Sequence, residues 1–136
     1  MARLKWWMRI VGGFYLLMFT AAAVLRLPIR SLGPPDTLAR AASGDATARL
    51  LVDTWVTLGL EFAALGVALL IASRVAEQAR ALAWTVIGIE AVRALVTDVY
   101  MITRGHDLTP QLVWIGIHSA IIATGVLALR KADPAA

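Results

Sequence analysis

The sequence predicts an all-α fold: a bundle of four transmembrane helices joined up-down-up-down. Three observations predict it. The 136-residue chain is 60% hydrophobic and only 16% charged, against roughly 25% charged for an ordinary soluble domain. Its apolar residues fall into four blocks, each near the ~20 residues that cross a hydrocarbon core of roughly 30 Å. The charges stand mostly between those blocks, and none of the blocks alternates with period two as a membrane β-strand does. The length suits a single domain. There is no cysteine, which excludes disulfides, thiolate metal sites and cysteine nucleophiles. The formal net charge of +4 is spread between apolar segments rather than gathered on one face. It therefore points to a membrane surface and not to nucleic acid.

The first crossing, about residues 6–26, opens from the basic, tryptophan-bearing segment MARLKWWMR and runs through the uncharged residues 10–25. A basic flank and interfacial Trp6 and Trp7 before an apolar core are how a membrane helix begins. The rival reading is a cleaved signal peptide with Ala21-Ala22-Ala23 as its small-residue site. Pro28, bracketed by Arg26 and Arg30, stops the helix. Residues 27–49 are the one long connection. Gly33-Pro34-Pro35 forces extended or turn geometry. Asp36 is expected to cap a short helix over 38–42, and Asp45 or Thr47 to cap the next.

The second crossing, 50–72 (LLVDTWVTLGLEFAALGVALLIA), carries Asp53 and Glu61. A short polar turn, SRVAEQAR, leads to the third, 81–102 (ALAWTVIGIEAVRALVTDVYMI), which carries Glu90, Arg93 and Asp98. Gly105 is the expected left-handed residue of the next connection, and Pro110 suits the first turn of a helix. The fourth crossing, 110–129, holds His118 and is closed by Arg130 and Lys131.

Basic residues in the N-terminus (Arg3, Lys5, Arg9), second loop (Arg74, Arg80) and C-terminus (Arg130, Lys131) total seven. Those in the first and third loops (Arg26, Arg30, Arg40, Arg49, Arg104) total five. Seven against five puts both termini on the cytoplasmic side of an inner membrane.

Charges inside hydrocarbon organise the functional reading. Each costs on the order of 2.5–3.5 kcal/mol on insertion scales, so such groups face a bundle interior and pair. Glu61, Glu90, Arg93 and His118 fall near the middle of their crossings, at one depth, and a shared polar midplane site follows. Asp53 and Asp98 join it from the first-loop side, where the polar residues of each crossing are concentrated. The expected cavity opens on that side, away from the cytoplasm. Glu90, Arg93 and Thr97 share one α-helical face, as do Gln111, Trp114 and His118. Asp98 falls about 80° from Glu90 on a regular helix, which would turn it toward another neighbour.

Each residue has a plainer role too. Glu90 and Arg93 suit a local ion pair that holds helices together, and His118 suits a neutral, hydrogen-bonded core histidine. Unless it is paired, Glu61 should carry a proton, because hydrocarbon disfavours the ionised form. Asp53, Glu61, Glu90 and Asp98 give −4 and Arg93 gives +1. The remaining −3 needs protons, a cation or a snorkelling arginine. Glu61, Glu90 and His118 are suitable metal ligands by type, but the Glu-x-x-His pairs of di-metal bundles are missing, so no metal is expected. The sequence implies no cofactor and contains no phosphate loop, nucleophile elbow or zinc-hydrolase motif. Two small-residue ridges, Gly59/Ala63/Gly66 and Gly116/Ala120/Thr124, are expected to pack helices within the chain, in a homo-oligomer or against another membrane partner.

The blocks LKWWMRIVGGFYLLMF, RLPIR, VDTWVTLGLE, WTVIGIEAVR, DVYMITRG and LVWIGIHS resemble the BphX-like family of small bacterial multi-pass membrane proteins. The resemblance covers most of the chain outside 33–49. It implies a membrane location and supplies no activity, cofactor or catalytic residue. The leading functional expectation is a non-enzymatic binding or accessory protein that holds a small apolar ligand or lipid, with the midplane residues as polar anchors. The alternatives are proton- or ion-coupled transport through the acidic cluster, and a membrane enzyme using His118 or Glu61 as acid or base.

Overall fold

The computed structural model describes residues 2–25 and 36–130. The stop at Pro28, the Gly33-Pro34-Pro35 geometry and the closing Lys131 lie outside the described residues. Among the described residues every regular element is helical. In chain order these are α1 (Ala2–Leu25), α2 (Thr37–Ser43), α3 (Ala46–Ala72), a 3₁₀ turn (Ser73–Val75), α4 (Arg80–Ile89), a π-helical turn (Glu90–Leu95), α5 (Val96–Thr103) and α6 (Leu108–Arg130). Three helices are long and apolar enough to cross a membrane: Ala2–Leu25, Ala46–Val75 and Leu108–Arg130. The region expected as the third crossing, 81–102, lies within the helical run Arg80–Thr103, but it is split by the π turn and carries three charges, Glu90, Arg93 and Asp98.

Two compact units are formed, one from Gly12–Leu70 and the other from Met1–Val11 with Ile71–Ala136. In the first, the latter part of α1 packs antiparallel on α3 through glycine. A Cβ on Gly66 would lie 2.7 Å from both Gly12 O and Leu16 N, and one on Gly59 would lie 3.0 Å from Phe19 O. Backbones approach this closely only where side chains are missing. The ridge Gly59/Ala63/Gly66 is therefore packed within the chain, and all three residues are buried. Beside it Tyr15, Phe19 and Phe62 form an aromatic cluster. Phe62 stacks on Phe19 at 4.6 Å and meets Tyr15 edge-on at 5.4 Å between ring centres. The second ridge differs. Gly116, Ala120 and Thr124 are exposed on α6.

The turn between α2 and α3 is held by one carboxylate. Asp36 precedes α2 but makes no side-chain cap hydrogen bond, contrary to the expectation from sequence. Asp45 does the capping. Its Oδ1 accepts from the Ala48 amide at 2.9 Å, and its Oδ2 accepts from Arg40 Nη2 at 2.6 Å and Nε at 3.0 Å. Only Asp45 satisfies an orphan amide of α3 and also has a cation opposite it. Gly44, in the left-handed region at φ 103°, makes the turn between the two helices.

The Ala48 amide, and after it Arg40, hold the Asp45 carboxyl below its usual range. The folded pKa is thus depressed, so the stabilisation is present above the unfolded value of about 3.9. It is lost as pH falls through the folded value. Asp45→Ala should fray the first turn of α3 and free α2. Faster amide hydrogen exchange over residues 46–49 would register this, and wild-type protein should approach the same rates in acid.

In the second unit α4, the π turn and α5 run antiparallel to α6. Gly125 admits the indole of Trp7. A Cβ there would lie 2.8 Å from the ring, and Trp7 Nε1–H donates to Ile121 O at 3.2 Å. Arg80 donates to Leu129 O at 3.4 Å, satisfying a carbonyl near the end of α6. Gly105 is left-handed at φ 80°, as expected.

Candidate functional site

The site is set by the π turn. Its residues, EAVRAL, are ordinary helix formers, yet the turn holds one residue more than an α-helix would. Eight residues of regular helix would leave Asp98 about 80° from Glu90; one inserted residue takes up about 100° and leaves them about 20° apart. The same shift swings Thr97 away. The burial pattern follows this geometry: Glu90 is 1% exposed and Asp98 8%, while Thr97 and Arg93 are exposed. The expected Glu90/Arg93/Thr97 face is therefore corrected. Glu90 and Asp98 share the buried face, and the extra residue of the π turn is the reason.

Opposite them on α6 stands His118. Its Nδ1 is hydrogen-bonded to Glu90 Oε2, and its Nε2 lies 3.6 Å from Asp98 Oδ2. Trp114, one turn earlier, stacks on the imidazole with ring centres 5.6 Å apart and 22° between planes. Gln111 is buried on the same stripe. Asp98 Oδ2 is buried with no hydrogen-bond partner among the described residues. One imidazole thus stands between two carboxylates, on elements that the π turn brings into register.

Charge counting limits what the cluster can be. With His118 doubly protonated and both carboxylates ionised, the total is −1. With His118 neutral and one carboxyl protonated, the total is again −1. The two forms differ only in where a proton sits, and the imidazole bridges the alternatives. A group of this kind is suited to holding and passing a proton.

A family model of BphX-like proteins matches residues 1–134, nearly the whole chain. The chain belongs to the BphX-like family. No curated protein and no solved structure matches this BphX-like chain.

The remaining expected site residues of the BphX-like protein are placed as follows. Glu61 and Asp53 lie on α3, in the unit formed by Gly12–Leu70, and are exposed. Arg93 lies in the π turn with its side chain exposed. Glu90, Asp98 and His118 converge. Their convergence sets Nδ1 of His118 against Glu90 Oε2 and Nε2 at 3.6 Å from Asp98 Oδ2. Trp114 was assigned to the His118 face by spacing, and its stacking follows from that spacing. The partnership of Asp98 with His118 had no such signal, because it depends on the π turn.

Proposed function

We propose that this BphX-like protein is an integral membrane protein of four crossings, up-down-up-down, in which Glu90, His118 and Asp98 bind and release a proton in proton- or ion-coupled transport. The observation that carries the reading is the single imidazole facing two buried carboxylates, one of which has an orphaned oxygen. Buried carboxylate–histidine chains at membrane depth are the usual parts of proton relays. Three span-length helices support the membrane reading, with only 22–28% of their apolar windows buried within the chain. The 24-residue helical run Arg80–Thr103, made of elements of 10, 6 and 8 residues, supplies the remaining crossing, third in chain order. Its charges are tolerable in a membrane because two of them are buried against α6.

The second reading is a non-enzymatic accessory protein that holds a small apolar ligand against the same anchors. Trp114 stacked on His118 favours it, since an aromatic wall beside a polar cluster suits an amphipathic molecule.

Proton uptake separates the two. Wild-type protein in detergent, titrated with acid, should show an uptake step that disappears in Asp98→Asn and in His118→Gln. Identical uptake by all three proteins would overturn the proton-handling reading and leave the cluster to anchoring.

A further inference from the structure

A groove of about 550 Å³ runs between the start of α1 and the last turns of α6, away from the carboxylate–imidazole cluster. That volume lies within the roughly 300–1,000 Å³ of ligand sites. Trp6, Trp7 and Ile10 form one wall, and Ala120, Thr124 and Leu127 the other. Apart from Arg3 its lining is largely hydrocarbon-like. The Trp7 N–H is committed to Ile121 O. The Thr124 hydroxyl bonds back to Ala120 O at 2.6 Å, so its methyl is left for the groove. Ala120 and Thr124 are four residues apart, on one stripe of α6, and being small they leave the space open.

The end of the groove is basic. Arg3 lines it; Arg9 stands outside the lining, but its guanidinium lies over the ring of the lining residue Trp6 at 5.5 Å while its Nε donates to Ser73 at 3.4 Å. The segments that meet at this end, residues 2–11, 71–80 and 120–130, carry Arg3, Lys5, Arg9, Arg74, Arg80 and Arg130 against a single acid, Glu77. An apolar slot that ends in concentrated positive charge at a membrane edge is complementary to one class of molecule.

We propose that the groove seats an anionic phospholipid, with one acyl chain between Trp6 and the Ala120–Thr124 stripe and its phosphate held by Arg3 and Arg9. The inference rests on the membrane reading above but not on the proton-handling cluster. Arg9 is pre-positioned by its cation–π contact and by Ser73, so less side-chain freedom is lost when the phosphate arrives.

Tryptophan quenching by chain-brominated lipids in nanodiscs tests it, with brominated phosphatidylglycerol compared against brominated phosphatidylcholine. Trp84 is half exposed on α4 and reports insertion alone. It should be quenched equally by both lipids, a contribution assigned by difference with Trp84→Phe. Trp6, assigned by difference with Trp6→Phe, should be quenched at a much lower fraction of phosphatidylglycerol than of phosphatidylcholine. Arg3→Gln should raise the half-saturating phosphatidylglycerol fraction roughly fivefold, and Ala120→Leu, which fills the slot, should abolish the preference. Equal quenching of Trp6 by the two lipids, with Trp84 quenched by both, would overturn the lipid site while leaving the membrane reading intact. Quenching of neither tryptophan would instead remove the membrane reading on which the inference rests. A Trp6 quenched by neither lipid while Trp84 is quenched by both would mean that a second copy covers the groove, and would also overturn the lipid site.

Discussion

Gly66→Ala should destabilise the purified protein by about 1–3 kcal/mol, the usual cost of overpacking a close contact, while Gly88→Ala should leave stability unchanged or raise it. Both substitutions gain up to about 1 kcal/mol of helix propensity, so any difference between them reports packing. At Gly66 the new methyl would meet Gly12 O and Leu16 N, each at 2.7 Å. Those are backbone atoms and cannot rotate aside; α1 and α3 would have to separate along the Tyr15/Phe19/Phe62 cluster. At Gly88 nothing lies within 4 Å. Denaturant titration in detergent micelles, followed by circular dichroism, measures the pair. Equal stabilities would mean that the two helices are not in close contact at this point.

The second large effect belongs to His118. Replacing it with Leu leaves Glu90 and Asp98 on one buried face with no imidazole between them. Breaking a buried charged group by removing one partner costs about 3–5 kcal/mol. The triple variant Glu90→Met, Asp98→Leu, His118→Leu should regain most of that, because well-packed apolar groups commonly match or exceed a buried ionic cluster in stability. The comparison also separates structure from function. If the cluster exists only to hold helices together, the stable triple variant keeps the proton uptake of wild type. If the cluster handles protons, the triple variant is folded and takes up none.

The features of this chain that were legible in its sequence are those set by composition and short-range chemistry. Span-length apolar blocks, the left-handed Gly105 and the buried Gly59/Ala63/Gly66 ridge all follow from local rules. So does the alignment of Trp114 with His118, four residues apart on an undistorted helix. The cap of α3 was half legible, since Asp45 and Thr47 were both available by residue type, and it is Asp45 that accepts from the Ala48 amide. The π turn was not legible, because nothing in EAVRAL disfavours an ordinary α-helix. Its trace in the sequence is indirect. On a regular helix Asp98 would be turned about 80° from Glu90 and away from the face that meets His118, and one inserted residue brings it back. Faces of a regular helix can be read from sequence spacing, but rotation about the helix axis after such an insertion cannot. That is why Glu90 and Asp98 came together while Arg93 and Thr97 are exposed.

The account depends most on His118 being held between two carboxylates inside the membrane. The chain has only two histidines, and His106 lies in the exposed connection between α5 and α6. An His106→Asn variant labelled with ¹⁵N-histidine therefore gives the ring signals of His118 alone, in bilayers, by solid-state nuclear magnetic resonance. The Nδ1 signal should be that of a proton-bearing nitrogen in a strong hydrogen bond and should move in Glu90→Gln. The Nε2 signal should move in Asp98→Asn, and neither should broaden with a water-soluble paramagnetic agent. Ring signals that resemble a free, solvent-exposed histidine and ignore both substitutions would contradict the account.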